Sequence, residues 1–146
     1  MNIQVRIKKL SPNATVPTYG SLYSAGADLY ACEDAPVSIA PGETKLIHTG
    51  LSFEIPEYFA GLIYARSGLA TKKGLAPANK VGVIDSDYRG EVMVSLYNQS
   101  GSVQTVEPGE RLAQMVITPF LKAEFIEADE LSDTVRGTGG FGSTGK

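Results

Sequence analysis

Apolar residues that recur at every second position, cut into short runs by glycine and proline, constrain this chain more than any other feature. Ile3, Val5 and Ile7 alternate with polar partners; Val92, Val94 and Leu96 share one face, and Met93, Ser95 and Tyr97 the other. Further runs of strand type are Lys45–His48, Leu51–Ile55, Phe59–Ala65, Lys80–Ile84, Leu112–Ile117 and Glu124–Glu127. Turn pairs separate them, among them Pro41-Gly42, Thr49-Gly50, Arg89-Gly90, Ser100-Gly101 and Pro108-Gly109. The pattern predicts an all-β fold, a distorted jelly-roll sandwich or barrel, with one short helix over Ser67–Lys73. At 146 residues the chain reads as one domain, 1–146, with a β core over about 1–134 and a flexible glycine-rich arm over 135–146.

Charge and composition remove several function classes. Thirteen basic against sixteen acidic residues give a formal charge of −3, so no global positive field exists to hold nucleic acid or an anionic membrane. Cys32 is the only cysteine and His48 the only histidine. An intrachain disulfide and two-histidine zinc motifs are thereby excluded, and a histidine triad would have to rest on His48. No apolar leader core and no run of about eighteen apolar residues occurs, so the expectation is a soluble, reduced, cytoplasmic protein.

The last eleven residues, Arg136 to Lys146, hold five glycines, one aromatic and three hydroxyl residues. Such a segment buries too little apolar area to offset its ordering entropy, so alone it is expected to be mobile. Its content nevertheless suits a flap over a phosphorylated, ring-bearing ligand. Arg136 offers a cation, Phe141 a π face and Ser143 and Thr144 hydroxyls, while the glycines let N–H groups converge on an anion. Two motif matches lie here: GxGxxG over Gly137–Gly142 and GxxxxGK over Gly140–Lys146. Both fail on context, because neither opens a helix that would hold phosphate at its N-terminus.

Between Tyr64 and Gly90 the charge balance reverses: Arg66, Lys72, Lys73, Lys80 and Arg89 face only Asp85 and Asp87. Arg66-Ser67-Gly68, at the start of the expected helix, combines a guanidinium, a hydroxyl and flexible backbone in a compact oxyanion cradle. Asp85 ends a strand beside Tyr88 and Arg89, and Asp28 opens another. Either could be simple turn chemistry. Gln114 is a polar amide inside an apolar strand, which needs a structural partner or a ligand.

Together these segments resemble the trimeric dUTP pyrophosphatase (dUTPase) family, whose five motifs appear in order. They are Ala25-Gly26-Ala27-Asp28-Leu29, Ala65-Arg66-Ser67-Gly68-Leu69, Gly82 to Gly90, Gly109 to Met115 around Gln114, and Arg136 to Gly145. The resemblance implies a homotrimer of jelly-roll subunits that hydrolyses dUTP to dUMP and pyrophosphate with Mg²⁺. It also implies sites between subunits, closed by the arm of a neighbour. On that resemblance Asp85 orients and deprotonates the attacking water, and Arg66, Ser67, Gly68 and Gln114 hold the phosphate chain. Arg136, Gly142, Ser143 and Thr144 close on it. Asn79 with the backbone of Gly82, Val83, Ile84 and Asp85 corresponds to the family's uracil-reading hairpin. Tyr88 stacks under the deoxyribose, Met93 lines the pocket and Phe141 covers the base. Asp28 accepts from metal-bound water, with no direct protein ligand to the metal. The rival readings are a dCTP deaminase on the same fold and a trimer that only binds a regulatory protein.

Overall fold

The computed structural model describes residues 3–140. Eleven strands and one helix follow in order: β1 (Arg6–Lys9), β2 (Thr18–Tyr19), β3 (Ala27–Tyr30), β4 (Val37–Ile39), β5 (Thr44–Glu54), β6 (Phe59–Ala65), α1 (Ser67–Lys73), β7 (Leu75–Pro77), β8 (Gly82–Ile84), β9 (Glu91–Asn98), β10 (Gln104–Val106) and β11 (Arg111–Pro119). They form a four-stranded sheet, β1-β5-β9-β7, a five-stranded sheet, β2-β3-β11-β6-β8, and a β10-β4 ribbon, all antiparallel. The inner faces enclose one core, in which Leu29, Ile39, Ile47, Leu51, Leu75, Leu96 and Leu112 lose all solvent contact. Each contributes roughly 1.5–3 kcal/mol relative to exposure. The expected alternation holds along β9, where Val92, Val94 and Leu96 are buried and Met93, Ser95 and Tyr97 only half-buried.

The helix covers the expected residues and stops at Gly74, which adopts φ 67° and donates its N–H to Ala70 at 3.1 Å. Side chains would be hard to place there, since a Cβ would meet that of Ser100 at 2.9 Å.

Three expectations change. Lys45–His48 and the expected run from Leu51, which ends at Glu54 rather than Ile55, belong to a single strand, β5, because Thr49-Gly50 forms a bulge rather than a turn. The Thr49 hydroxyl donates to the Val92 carbonyl at 2.5 Å and Gly50 sits at φ 65°, so the ladder resumes beyond them. Glu124–Glu127 forms no strand, for it pairs with no sheet edge among the described residues; Leu121, Phe125, Ile126 and Leu131 are almost fully exposed. The segment from Val81 to Val94 is strand, turn, strand as expected, but β8 and β9 lie in different sheets and do not pair. Residues 85–90 therefore form a corner between sheets rather than the tip of a hairpin.

Candidate active site

Two separate hollows receive most of the expected site residues, and no residue lines both. The first, about 440 Å³, gathers Asp28 from β3, Arg66, Ser67 and Gly68 from the β6–α1 junction, and Gln114 from β11. Antiparallel register brings them together: Gln114 stands opposite Asp28 on one side and Tyr64 on the other. Asp28, nearly buried, accepts from Arg66 Nε at 2.7 Å through Oδ1 and from Arg111 Nη1 at 3.3 Å through Oδ2. That carboxylate orients two guanidinium groups at the hollow's rim. The Gln114 amide donates to the Ala65 carbonyl at 2.9 Å, so its nitrogen holds the β6–α1 junction. α1 has no side-chain cap, which leaves the N–H groups of its first turn free of any side-chain acceptor. A Cβ on Gly68 would meet nothing within 4 Å. The hollow is thus built from guanidinium, hydroxyl, amide and backbone N–H donors, the chemistry that suits an oligophosphate.

The second hollow, about 250 Å³, lies at the corner between sheets and is lined by Val83, Ile84, Asp85, Tyr88, Met93 and Glu91, among others. Asp85 is exposed, and its carboxylate makes no hydrogen bond or ion pair among the described residues. Its backbone carbonyl accepts from the Tyr88 amide at 3.2 Å, which folds Tyr88 back over the turn. The Tyr88 ring lies against Gly90, where any Cβ would fall within the phenol. Arg89 points away from the hollow, its guanidinium bonded to the carbonyls of Ser86 at 2.7 Å and Tyr88 at 3.1 Å. Asn79 is exposed beside Gly82, its amide nitrogen 3.3 Å from the place a Gly82 Cβ would take. A three-residue turn presents it: Val81 donates to the Asn79 carbonyl at 2.8 Å across Lys80, which is held at φ 67°. Positive φ at a lysine is strained backbone of the kind that clusters at ligand sites.

Arg136 reaches neither hollow in this chain; its Nε donates to the Gly139 carbonyl at 2.7 Å. Phe141, Gly142, Ser143 and Thr144 lie outside the described residues.

Reading by motif missed Arg111, Tyr64 and Glu91. The spacing of Arg111 in the sequence points away from the site. Arg111 stands three residues before Gln114, a spacing that would put the two on opposite faces of a regular strand. A register shift between Arg111 and Ala113 inserts one extra residue opposite β3, and both side chains then line the phosphate-type hollow. Gly26 also has a site role, because a Cβ there would run into the Gln114 side chain.

Among the described residues no group of three or more His, Cys, Asp or Glu could hold a metal ion, and no helix is long and apolar enough to cross a membrane. Residues 12–145 match the dUTPase family model. A deoxyuridine 5'-triphosphate nucleotidohydrolase of Nautilia profundicola is 52% identical over 99% of this chain and 100% of its own length. One from Acinetobacter baumannii is 48% identical over 100% of this chain and 99% of its own length. Among solved structures, the Staphylococcus bacteriophage 80alpha dUTPase with dUpNHpp superposes with a TM-score of 0.90 at 29% identity, covering 99% of this chain and 100% of that one. The all-β jelly roll is therefore that of a hydrolase, and the chain belongs to the dUTPase family.

Proposed function

We propose that this protein hydrolyses dUTP to dUMP and pyrophosphate with Mg²⁺, at sites completed by neighbouring subunits of a homotrimer. The observation that carries the reading is the division of labour between the two hollows. One offers donors for phosphate and the other a carboxylate, a tyrosine and a methionine beside an exposed asparagine, with no residue in common. A nucleotide that needs both is served when one copy's phosphate hollow faces another copy's nucleoside hollow. The exposed apolar residues Leu121, Phe125, Ile126 and Leu131 fit the same reading, since such surface in a soluble chain calls for cover. The bacteriophage relative that holds dUpNHpp supports the substrate.

In this reading Asp85 accepts a hydrogen bond from a water and takes its proton as the water oxygen attacks the α-phosphorus. The bond from that phosphorus to the bridging oxygen breaks, and pyrophosphate leaves. Positioning and charge neutralisation carry most of the rate. Arg66, Ser67, Gly68 and Gln114 bind the phosphates; Arg136, Gly142, Ser143 and Thr144 close over them from the arm. When bound with the substrate, Mg²⁺ would neutralise charge on the triphosphate. Asp28 suits an outer-sphere role: both its oxygens already accept from guanidinium groups, and one lone carboxylate is no cage for a metal.

Specificity comes from the corner. Asn79 and the backbone of Gly82 to Asp85 read the uracil edge, and fixed donors and acceptors reject cytosine by leaving partners unpaired. Tyr88 fills the space that a ribose 2′-hydroxyl would need, Met93 lines the pocket, and Phe141 covers the base. Removal of dUTP keeps uracil out of DNA and supplies dUMP for thymidylate synthesis, a cytoplasmic role.

The test is a nucleotide panel with and without Mg²⁺, scored for both pyrophosphate and ammonia. Pyrophosphate from dUTP alone, dependent on Mg²⁺, is the expected result. Ammonia from dCTP would replace the reading with deamination, and inertness toward every nucleotide would favour a purely partner-binding trimer.

A further inference from the structure

Glu91 stands at a junction that the site residues above do not account for. It opens β9, three residues after Tyr88, and lines the same hollow as Asp85 and Tyr88. Each of its polar groups holds something. Oε1 accepts the Gly50 N–H at 2.8 Å, Oε2 meets His48 Nδ1 at 2.9 Å, and the backbone carbonyl accepts the Tyr88 hydroxyl at 3.0 Å.

The β5 bulge explains the arrangement. Between His48 and Ser52 the register against β9 shifts, and Gly50 loses its ladder partner. A backbone N–H stranded in this way must find an acceptor, and the Glu91 carboxylate supplies it. Two neighbouring bonds tie the same stretch: Ser52 Oγ to the Arg89 carbonyl at 2.6 Å, and Thr49 Oγ1 to that of Val92. His48 is itself held, its N–H donating to Glu33 Oε1 at 2.8 Å. The bulge is thus a clamp on the outgoing end of the corner. The corner needs one, because all of residues 85–90 are exposed or half-exposed and contribute little packing of their own. Because the Tyr88 hydroxyl hangs from the Glu91 carbonyl, a shift of Glu91 moves the ring that meets the sugar.

We propose that Glu91, braced by His48, is a positioning residue for dUTP hydrolysis, which fixes Tyr88 and Asp85 and so sets how sharply the site separates deoxyribose from ribose. The proposal rests on the dUTP reading above. Glu91 does not touch the reacting atoms; it acts through Tyr88 and the turn that carries Asp85.

The test compares wild type, E91Q and E91A as full-length protein. Steady-state rates are taken with dUTP and UTP, and NMR follows the His48 titration and the exchange of the Gly50 amide. E91Q keeps an oxygen for Gly50 and loses the charge that faces His48; E91A loses both. Expected for E91A is a KM for dUTP raised about five- to tenfold with a smaller fall in kcat, and a dUTP-to-UTP ratio of kcat/KM reduced roughly tenfold. E91Q falls between the two, and only E91A speeds Gly50 exchange. Urea unfolding of the same proteins separates this from simple destabilisation. An E91A protein that is active with wild-type KM and wild-type sugar discrimination overturns the proposal alone. Wild-type protein inert toward dUTP would instead remove the activity on which it rests, while Gly50 exchange would still read the brace.

Discussion

The Tyr88 ring rests on the backbone of Gly90, two residues along, so closely that a methyl group there would occupy the phenol's own space. The contact explains why the corner needs glycine at a position whose φ is not positive. Gly90→Ala should push the ring outward and open room beside the sugar. The expected result is a dUTP-to-UTP preference reduced about tenfold in kcat/KM, with the fold intact by circular dichroism. Unchanged preference would mean that Tyr88 does not exclude the 2′-hydroxyl.

The hollow proposed to hold phosphate has an equivalent contact. Gly26 leaves space for the Gln114 side chain, whose Cδ would lie 3.1 Å from a Cβ added there. Gly26→Ala must displace Gln114 and with it the bond to the Ala65 carbonyl that anchors the start of α1. Overpacking of this kind costs about 1–3 kcal/mol, measurable as a lower urea midpoint, and KM for dUTP should rise alongside.

Asp28 neutralises and orients Arg66 and Arg111. Asp28→Asn leaves two guanidinium groups facing an amide and removes charge-assisted bonds, for a loss of about 2 kcal/mol in unfolding free energy. The Mg²⁺ concentration needed for half-maximal rate should rise as well, since the proposed acceptor of metal-bound water is weakened. A wild-type Mg²⁺ profile in this variant would remove Asp28 from that role.

His48 titrates above its ordinary value, first because its ring hydrogen-bonds Glu91, with the charges of Glu91 and Glu33 adding and burial opposing. A raised folded-state value means that the stabilisation is complete below the unfolded value near 6.5 and fades as pH climbs through the folded one. The side chain is half exposed, so the effect is about 0.5 kcal/mol or less. Wild-type stability should therefore decline from about pH 6 to pH 8 relative to His48→Gln, as read by urea midpoints of the two proteins.

Much of this was legible in the sequence because strands and turns announce themselves locally. The alternation at Val92, Val94 and Leu96 forecasts a buried face, and Ser67–Lys73 stands out as a short helix, both from residues in direct succession. What failed depended on neighbours far along the chain. Thr49-Gly50 carries turn chemistry, yet Val92 and Glu91, some forty residues away, make it a bulge. Phe125-Ile126 has strand chemistry, but a strand exists only with a partner edge, and among the described residues it pairs with none. Arg111 escaped notice because only the bulge against β3 turns it toward Gln114. The motifs named several residues of each hollow, but not that within one chain they fall into two separate hollows, which is a property of three-dimensional placement.

That separation is the central claim, and subunit mixing tests it most directly. Asp85→Asn disables the nucleoside hollow and Ser67→Ala weakens the phosphate hollow, each leaving the other hollow and the arm untouched. Unfolded together in equal amounts and refolded, the two chains should form mixed trimers in which about a quarter of the sites pair two intact halves. Activity of the mixture should rise well above the sum of the separate proteins, toward a quarter of wild type. If mixing is verified by mass spectrometry and activity stays at that sum, each chain carries a complete site and the shared-site account is wrong.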